Sequence, residues 1–151
     1  MNDEQSVLIW VHEDCLHPNS PALQAHSQAP RVFVFDEFSR VSLKRIVFQY
    51  ECLLEIPNIE IRRGEVVAQL VAAARDHDCQ RIVTMASVTP SFAKITSVLQ
   101  REYLLSLTLL ASEPFLELVA GEADGLDLKR FSRFWQAIKG RALSLNQSFD
   151  W

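Results

Sequence analysis

His12, Cys15 and His17 stand at H-x-x-C-x-H spacing, with Glu13 and Asp14 inside the run. Imidazole and thiolate groups this close suit zinc or copper. Closed metal sites, however, usually draw four ligands from two separated pairs. The one other His–Cys pair, His77-x-Cys79, falls where a helix ends and a strand begins, at the opposite edge of a parallel sheet from the first loop. The reading here is a polar loop without a metal. Nucleophilic catalysis needs Ser or Cys paired with an oriented base. Cys15 has two histidines near it in sequence, but one N-terminal loop holding all three groups is not a recognised constellation. Cys52 and Cys79 read as core or core-edge residues, and no residue is assigned a catalytic role.

The glycines exclude nucleotide binding through a glycine-rich loop. The chain holds only Gly64, Gly121, Gly125 and Gly140, and none lies in the first strand-to-helix loop. Neither the GxGxxG turn nor a P-loop can then bring backbone N–H groups against phosphates. A formal charge of −4 argues against broad contact with nucleic acid or anionic lipid. The start, MNDEQSVLIW, is acidic and polar, with an apolar run too short for a signal peptide or membrane helix. Three scattered cysteines without a CxxC pair give no disulfide framework, which suits a reducing cytoplasm.

The elements that position these residues follow from apolar patterning over 151 residues, enough for one domain of ordinary size. Val7 to Val11 and Arg31 to Phe35 are short apolar runs of the kind buried on both faces of a sheet. Ile59 to Ile61, Arg81 to Thr84 and Leu104 to Leu110 supply three more strands. Between them the spacing is helical. Leu43, Ile46, Val47, Tyr50 and Leu54 form one stripe behind a capping Ser42. Val67, Leu70, Val71 and Ala74 line a helix that begins just after Gly64. Thr89-Pro90 opens another, carrying Phe92, Ile95 and Leu99. Strands alternating with helices, joined by right-handed crossovers, predict an α/β, Rossmann-like fold with a five-stranded parallel sheet.

The expected domain covers residues 1–126, with an irregular stretch from about Ser112. A C-terminal amphipathic helix and tail occupy 127–151. Phe131, Phe134, Trp135 and Ile138 fall on one stripe of that helix, and Lys129, Arg130, Arg133, Lys139 and Arg141 on its other faces. Such a helix packs on its own domain, or docks on a partner protein or an acidic polymer. In an open parallel sheet, ligands sit beyond the carboxyl ends of the strands, where the strand order reverses. That places His12-Glu13-Asp14, Asp36-Glu37-Phe38 and Ala86-Ser87-Val88 around any pocket.

The run from Trp10 to Leu23 aligns without a gap on W-F-R-R-D-L-R-L-H-D-N-P-A-L, the opening signature of DNA photolyases and cryptochromes. Trp10, Asp14, Pro21, Ala22 and Leu23 match outright. Val32 to Asp36 resembles the family's second strand. Ile61-Arg-Arg-Gly64 is similar to its V-R-x-G-D-P segment, with a small deletion. Phe131-Ser-Arg-Phe-Trp135 is similar to its F-T-P-F-W element. The family's first-loop arginines are replaced by His12, Glu13 and Leu16, and its charged run after the fourth strand by Ala93-Lys94-Ile95-Thr96.

What the resemblance implies is the N-terminal, antenna-binding α/β domain of that family, without the helical half that carries the catalytic flavin. The implied ligand is a flat antenna: a folate, a deazaflavin or a flavin. Trp10, His12, Glu13, Asp14, Asp36, Glu37, Ser87 and Lys94 would line or flank its site. The implied function is noncatalytic, binding a chromophore or nucleotide-like ligand, or mediating protein interaction. The alternative is the antenna subunit of a split photolyase acting in DNA repair or light sensing. Expected partners are a second copy or a helical protein docked on Phe131, Phe134, Trp135 and Ile138, with no membrane and no direct nucleic-acid contact.

Overall fold

The computed structural model describes residues 7–112, 121–127 and 129–144. The chain divides into two compact units, residues 1–112 and 113–151. In the first, strands β1 (Val7–Val11), β2 (Arg31–Asp36), β3 (Ile59–Gly64), β4 (Arg81–Met85) and β5 (Ser106–Leu110) alternate with helices α1 (Pro21–Ala25), α2 (Leu43–Leu54), α3 (Val66–Asp76) and α4 (Pro90–Glu102). All strand pairs are parallel, in the order β3-β2-β1-β4-β5. This is the Rossmann-like α/β fold that the patterning predicts.

Strand β1 is central and buried along its whole length, so its alternating side chains feed two cores. Val7, Ile9 and Val11 pack with Phe33, Val83 and Met85 beneath Ala22, Leu23 and Leu53 of α1 and α2. Leu8 and Trp10 pack with Val32, Val34 and Ile82 beneath α3 and α4, which contribute Leu70, Val71, Phe92 and Leu99. A strand covered on both faces has no polar side to alternate with, which is why β1 reads as an unbroken apolar run.

Helix α2 departs from its pattern. Ser42 caps it, accepting from the Arg45 N–H, but the stripe of Leu43, Val47, Tyr50 and Leu54 lies exposed while Gln49 and Leu53 are buried. The cause is tertiary. Arg45 pairs with Glu13 of the first loop at 2.6 Å, and Gln49 donates to the same carboxylate at 3.4 Å. With Leu53 in the core, these anchors turn the helix so that its most apolar face points outward. Leu104 is a second departure. It belongs to the turn that ends α4, with φ of 54°, and the Leu105 N–H closes that turn on the Leu99 carbonyl. The last strand therefore begins at Ser106.

Edge strand β3 alternates Ile59 and Ile61 with Glu60 and Arg62, and the charges form a network at its start. Arg62 binds Glu60 at 2.6 Å and Asp76 at 2.7 Å, while His77 Nε2 lies 2.8 Å from the other Glu60 oxygen. Charged side chains on an edge discourage pairing with another sheet. Burial pushes the Glu60 carboxyl up, but hydrogen bonds from His77 and Arg62, and their charge, outweigh it and hold the group below its ordinary value. A depressed folded pKa contributes stability above the unfolded value, about 4.3, and loses it as pH falls through the folded value. Glu60→Gln is therefore expected to cost about 1 kcal/mol at neutral pH and nothing once the wild-type carboxyl is protonated. Urea unfolding of both proteins across the acid range checks this; a difference independent of pH would refute it.

The second unit contains a short 3-10 turn (Glu122–Gly125) and α5 (Phe131–Ser144). The helix starts later than Asp127 because Asp127 acts ahead of it. Its carboxylate accepts from the Lys129 N–H at 3.2 Å and from Arg133 at 3.3 Å, and the first helical bonds run to the Arg130 carbonyl. Arg141 pairs with Glu122. Among the described residues, no helix is long and apolar enough to cross a membrane.

Candidate functional site

From β1 the sheet grows outward through β2 and β3 on one side and through β4 and β5 on the other. Loops leaving the adjacent strands β1 and β4 therefore depart toward opposite faces, and a crevice opens between them. Here it is a cleft of about 560 Å³ at the carboxyl edge of the sheet. That lies within the range typical of small-molecule sites.

Aromatic groups form one wall. The Trp10 and Phe92 rings stack at 5.3 Å between centroids, 15° from parallel, and His12 sits edge-on to Trp10 at 5.4 Å. Val34, Ile46, Val66 and Ile95 continue the apolar lining. The rim is polar, with carboxylates from Glu13, Asp14, Asp36 and Glu37 and one guanidinium from Arg63. Asp36 also shapes its own loop by accepting from the Phe38 N–H at 2.9 Å.

The buried His12 ties the two central loops together. Its Nε2 lies 2.8 Å from the Met85 carbonyl at the end of β4, and its Nδ1 accepts from the Asp14 N–H at 3.3 Å. A carbonyl only accepts, so the hydrogen-bond pattern assigns the proton to Nε2. Both ring nitrogens are engaged by backbone. A second tie joins the same loops, where the Ser87 hydroxyl donates to Asp14 Oδ2 and accepts from the Thr89 N–H at 3.2 Å. Thr89 stands at the N-cap of α4 without a side-chain capping bond.

This arrangement holds a ligand better than it attacks one. Ser87 donates to a carboxylate, so no imidazole activates it. Burial raises the pKa of Cys15, the Asp14 charge adds to that, and a hydrogen bond with Ser20 only partly offsets it. Burial, followed by the Asp78 charge, raises that of Cys79. Neither thiol gains the thiolate character a nucleophile needs. His17 Nδ1 accepts from the Asn19 N–H at 3.0 Å, so His17 serves its own loop, while His12 reaches across to the end of β4. Among the described residues, no three His, Cys, Asp or Glu side chains converge to hold a metal.

Of the cleft residues expected from sequence, Trp10, His12, Glu13, Asp14, Asp36, Glu37 and Ser87 line the cavity together. Lys94 does not line it; this exposed residue lies off the α4 face that carries Phe92 and Ile95. Sequence reasoning left Phe92 and Ile95 to the core and did not single out Arg63. All three had a signal: Arg63 is the last residue of β3 before Gly64, and Phe92 and Ile95 occupy the first turns of a helix that starts at the carboxyl edge. On α5, Phe131 is 74% exposed and stacks on Trp135 at 6.1 Å, Phe134 and Trp135 are half-buried, and Ile138 is buried.

The fold and the cleft together define an α/β, Rossmann-like domain with a ligand-sized crevice at its switch point. No family model matches the chain, and no curated protein matches it.

Proposed function

We propose that this chain is a noncatalytic, photolyase- or cryptochrome-like α/β domain that binds a flat heteroaromatic ligand in the switch-point cleft. The observation that carries the reading is the make-up of that cleft: an aromatic wall of Trp10 and Phe92 facing a rim of four carboxylates and one guanidinium. A planar ring gains offset stacking and apolar burial against such a wall. Ring N–H groups, as on a pterin or a flavin, find acceptors in Asp36 and Glu37. A phosphate does not fit this rim, where Arg45 pairs with Glu13 and the three other carboxylates still outnumber Arg63. The ligand class is therefore a folate, deazaflavin or flavin ring system whose anionic tail, if any, stays outside. The sequence likeness around Trp10 to Leu23 points to the same class.

The test is titration of the purified chain with riboflavin, a deazaflavin and a reduced folate, read by ligand absorption and tryptophan fluorescence. At least one ring system is expected to bind with a Kd on the order of 10 µM, and flavin mononucleotide no more tightly than riboflavin. Phe92→Leu keeps an apolar side chain but removes the stacked ring, and is expected to weaken binding about five- to tenfold. Protein that is colourless when isolated from its native host, and that takes up none of the three rings, would sink the proposal.

A further inference from the structure

We propose that a second copy of this chain docks antiparallel on the exposed face of α2, making a two-fold dimer remote from the ligand question. Leu43, Val47, Tyr50 and Leu54 recur at spacings of four, three and four, which is one stripe of a helix. All four are exposed, Leu43 at 75% and Leu54 at 65%. An apolar stripe that its own domain leaves uncovered marks a contact surface.

Charge identifies the occupant. Lys44, Glu51 and Glu55 lie along one flank of the stripe, and among the described residues none of them has an ion-pair partner. Their order is wrong for an isolated helix. The first turn has no acid and the last turn no base, whereas the helix dipole favours acids at the start and bases at the end. Glu51 and Glu55 also repel each other one turn apart. A second α2 laid antiparallel reverses each of these costs. With Val47 opposite Tyr50 of the second copy and Leu43 opposite its Leu54, Lys44 comes level with residue 53 of that copy, between its Glu51 and Glu55. In an antiparallel pair like flanks face each other, so two-fold symmetry makes the contact twice. Parallel pairing would put the two copies of this flank on opposite sides of the seam, so Lys44 would meet neither Glu51 nor Glu55 of the second copy.

Sedimentation of the full chain over about 1–200 µM tests this. A reversible dimer is expected, with a Kd on the order of 10–100 µM, in keeping with a contact smaller than the roughly 800 Å² per partner of a standard interface. Val47→Asp, at an exposed site that folding tolerates, is expected to weaken the dimer at least tenfold with an unchanged circular dichroism spectrum. Lys44→Glu, and separately the pair Glu51→Lys with Glu55→Lys, are expected to sediment as monomers. Mixing these two variants is expected to restore a dimer containing one of each, because both cross-contacts become attractive again. A chain that stays monomeric throughout overturns the proposal, including one whose α2 binds a different protein. So does a dimer that ignores Val47→Asp and responds to Phe131→Asp on α5, or variants that fail to pair on mixing.

Discussion

Trp10→Ala is expected to lower the unfolding free energy by about 3–5 kcal/mol, the range for truncating a large aromatic side chain in a core. Trp10 is 5% exposed and belongs to the cluster that joins β1 and β2 to α3 and α4. Its ring also stacks on Phe92 and meets His12 edge-on, so the same atoms serve as core and as cleft wall. Truncation leaves a void on the core side and an enlarged cavity on the other, and neither side can close without moving α4. Trp10→Phe keeps an aromatic face and is expected to lose only about 1–2 kcal/mol. Urea unfolding followed by far-ultraviolet circular dichroism measures both. An alanine variant within about 1 kcal/mol of wild type would mean that the core does not depend on this ring.

That dual role explains which parts of the site were readable from sequence. Strands buried on both faces appear as unbroken apolar runs, so Val7–Val11 and Arg31–Asp36 could be placed closely. Once the sheet is parallel, its carboxyl edge must hold the residues after each strand, and His12 to Asp14, Asp36, Glu37 and Ser87 follow. What periodicity does not carry is the direction a helical stripe faces. The stripe of α2 is real, yet it points outward because Glu13, more than thirty residues earlier, holds Arg45 and Gln49. Phe92 and Ile95 were legible as apolar but not as cleft residues, since a helix that starts at the rim shows one face to the core and the cavity alike. The five-residue α1 (Pro21–Ala25) is too short to show a helical period. Leu104 is an apolar residue in a left-handed turn position that glycine or asparagine usually fills, so it reads as strand.

The role of His12 separates a positioning group from a reacting one, and its substitution is the sharper test. His12→Leu keeps much of the side-chain bulk but removes the Nε2–H donor to the Met85 carbonyl and the Nδ1 acceptor for the Asp14 N–H. Two backbone groups at the switch point then lose their partners, at about 1–3 kcal/mol each where water cannot replace them. The expected loss is about 2–4 kcal/mol, because the cleft lets some water in. The conservative variants divide this loss by geometry. Asparagine can set its side-chain oxygen near the Nδ1 position, and glutamine its side-chain N–H near Nε2. Each is expected to recover about half of the deficit, and ligand affinity is expected to fall in parallel because Glu13 and Asp14 ride on the same loop. A reacting histidine would behave otherwise, with stability unmoved and all function lost in every variant. If His12→Leu unfolds at the wild-type urea concentration, the tie between β1 and β4 lies elsewhere and the imidazole is free for chemistry.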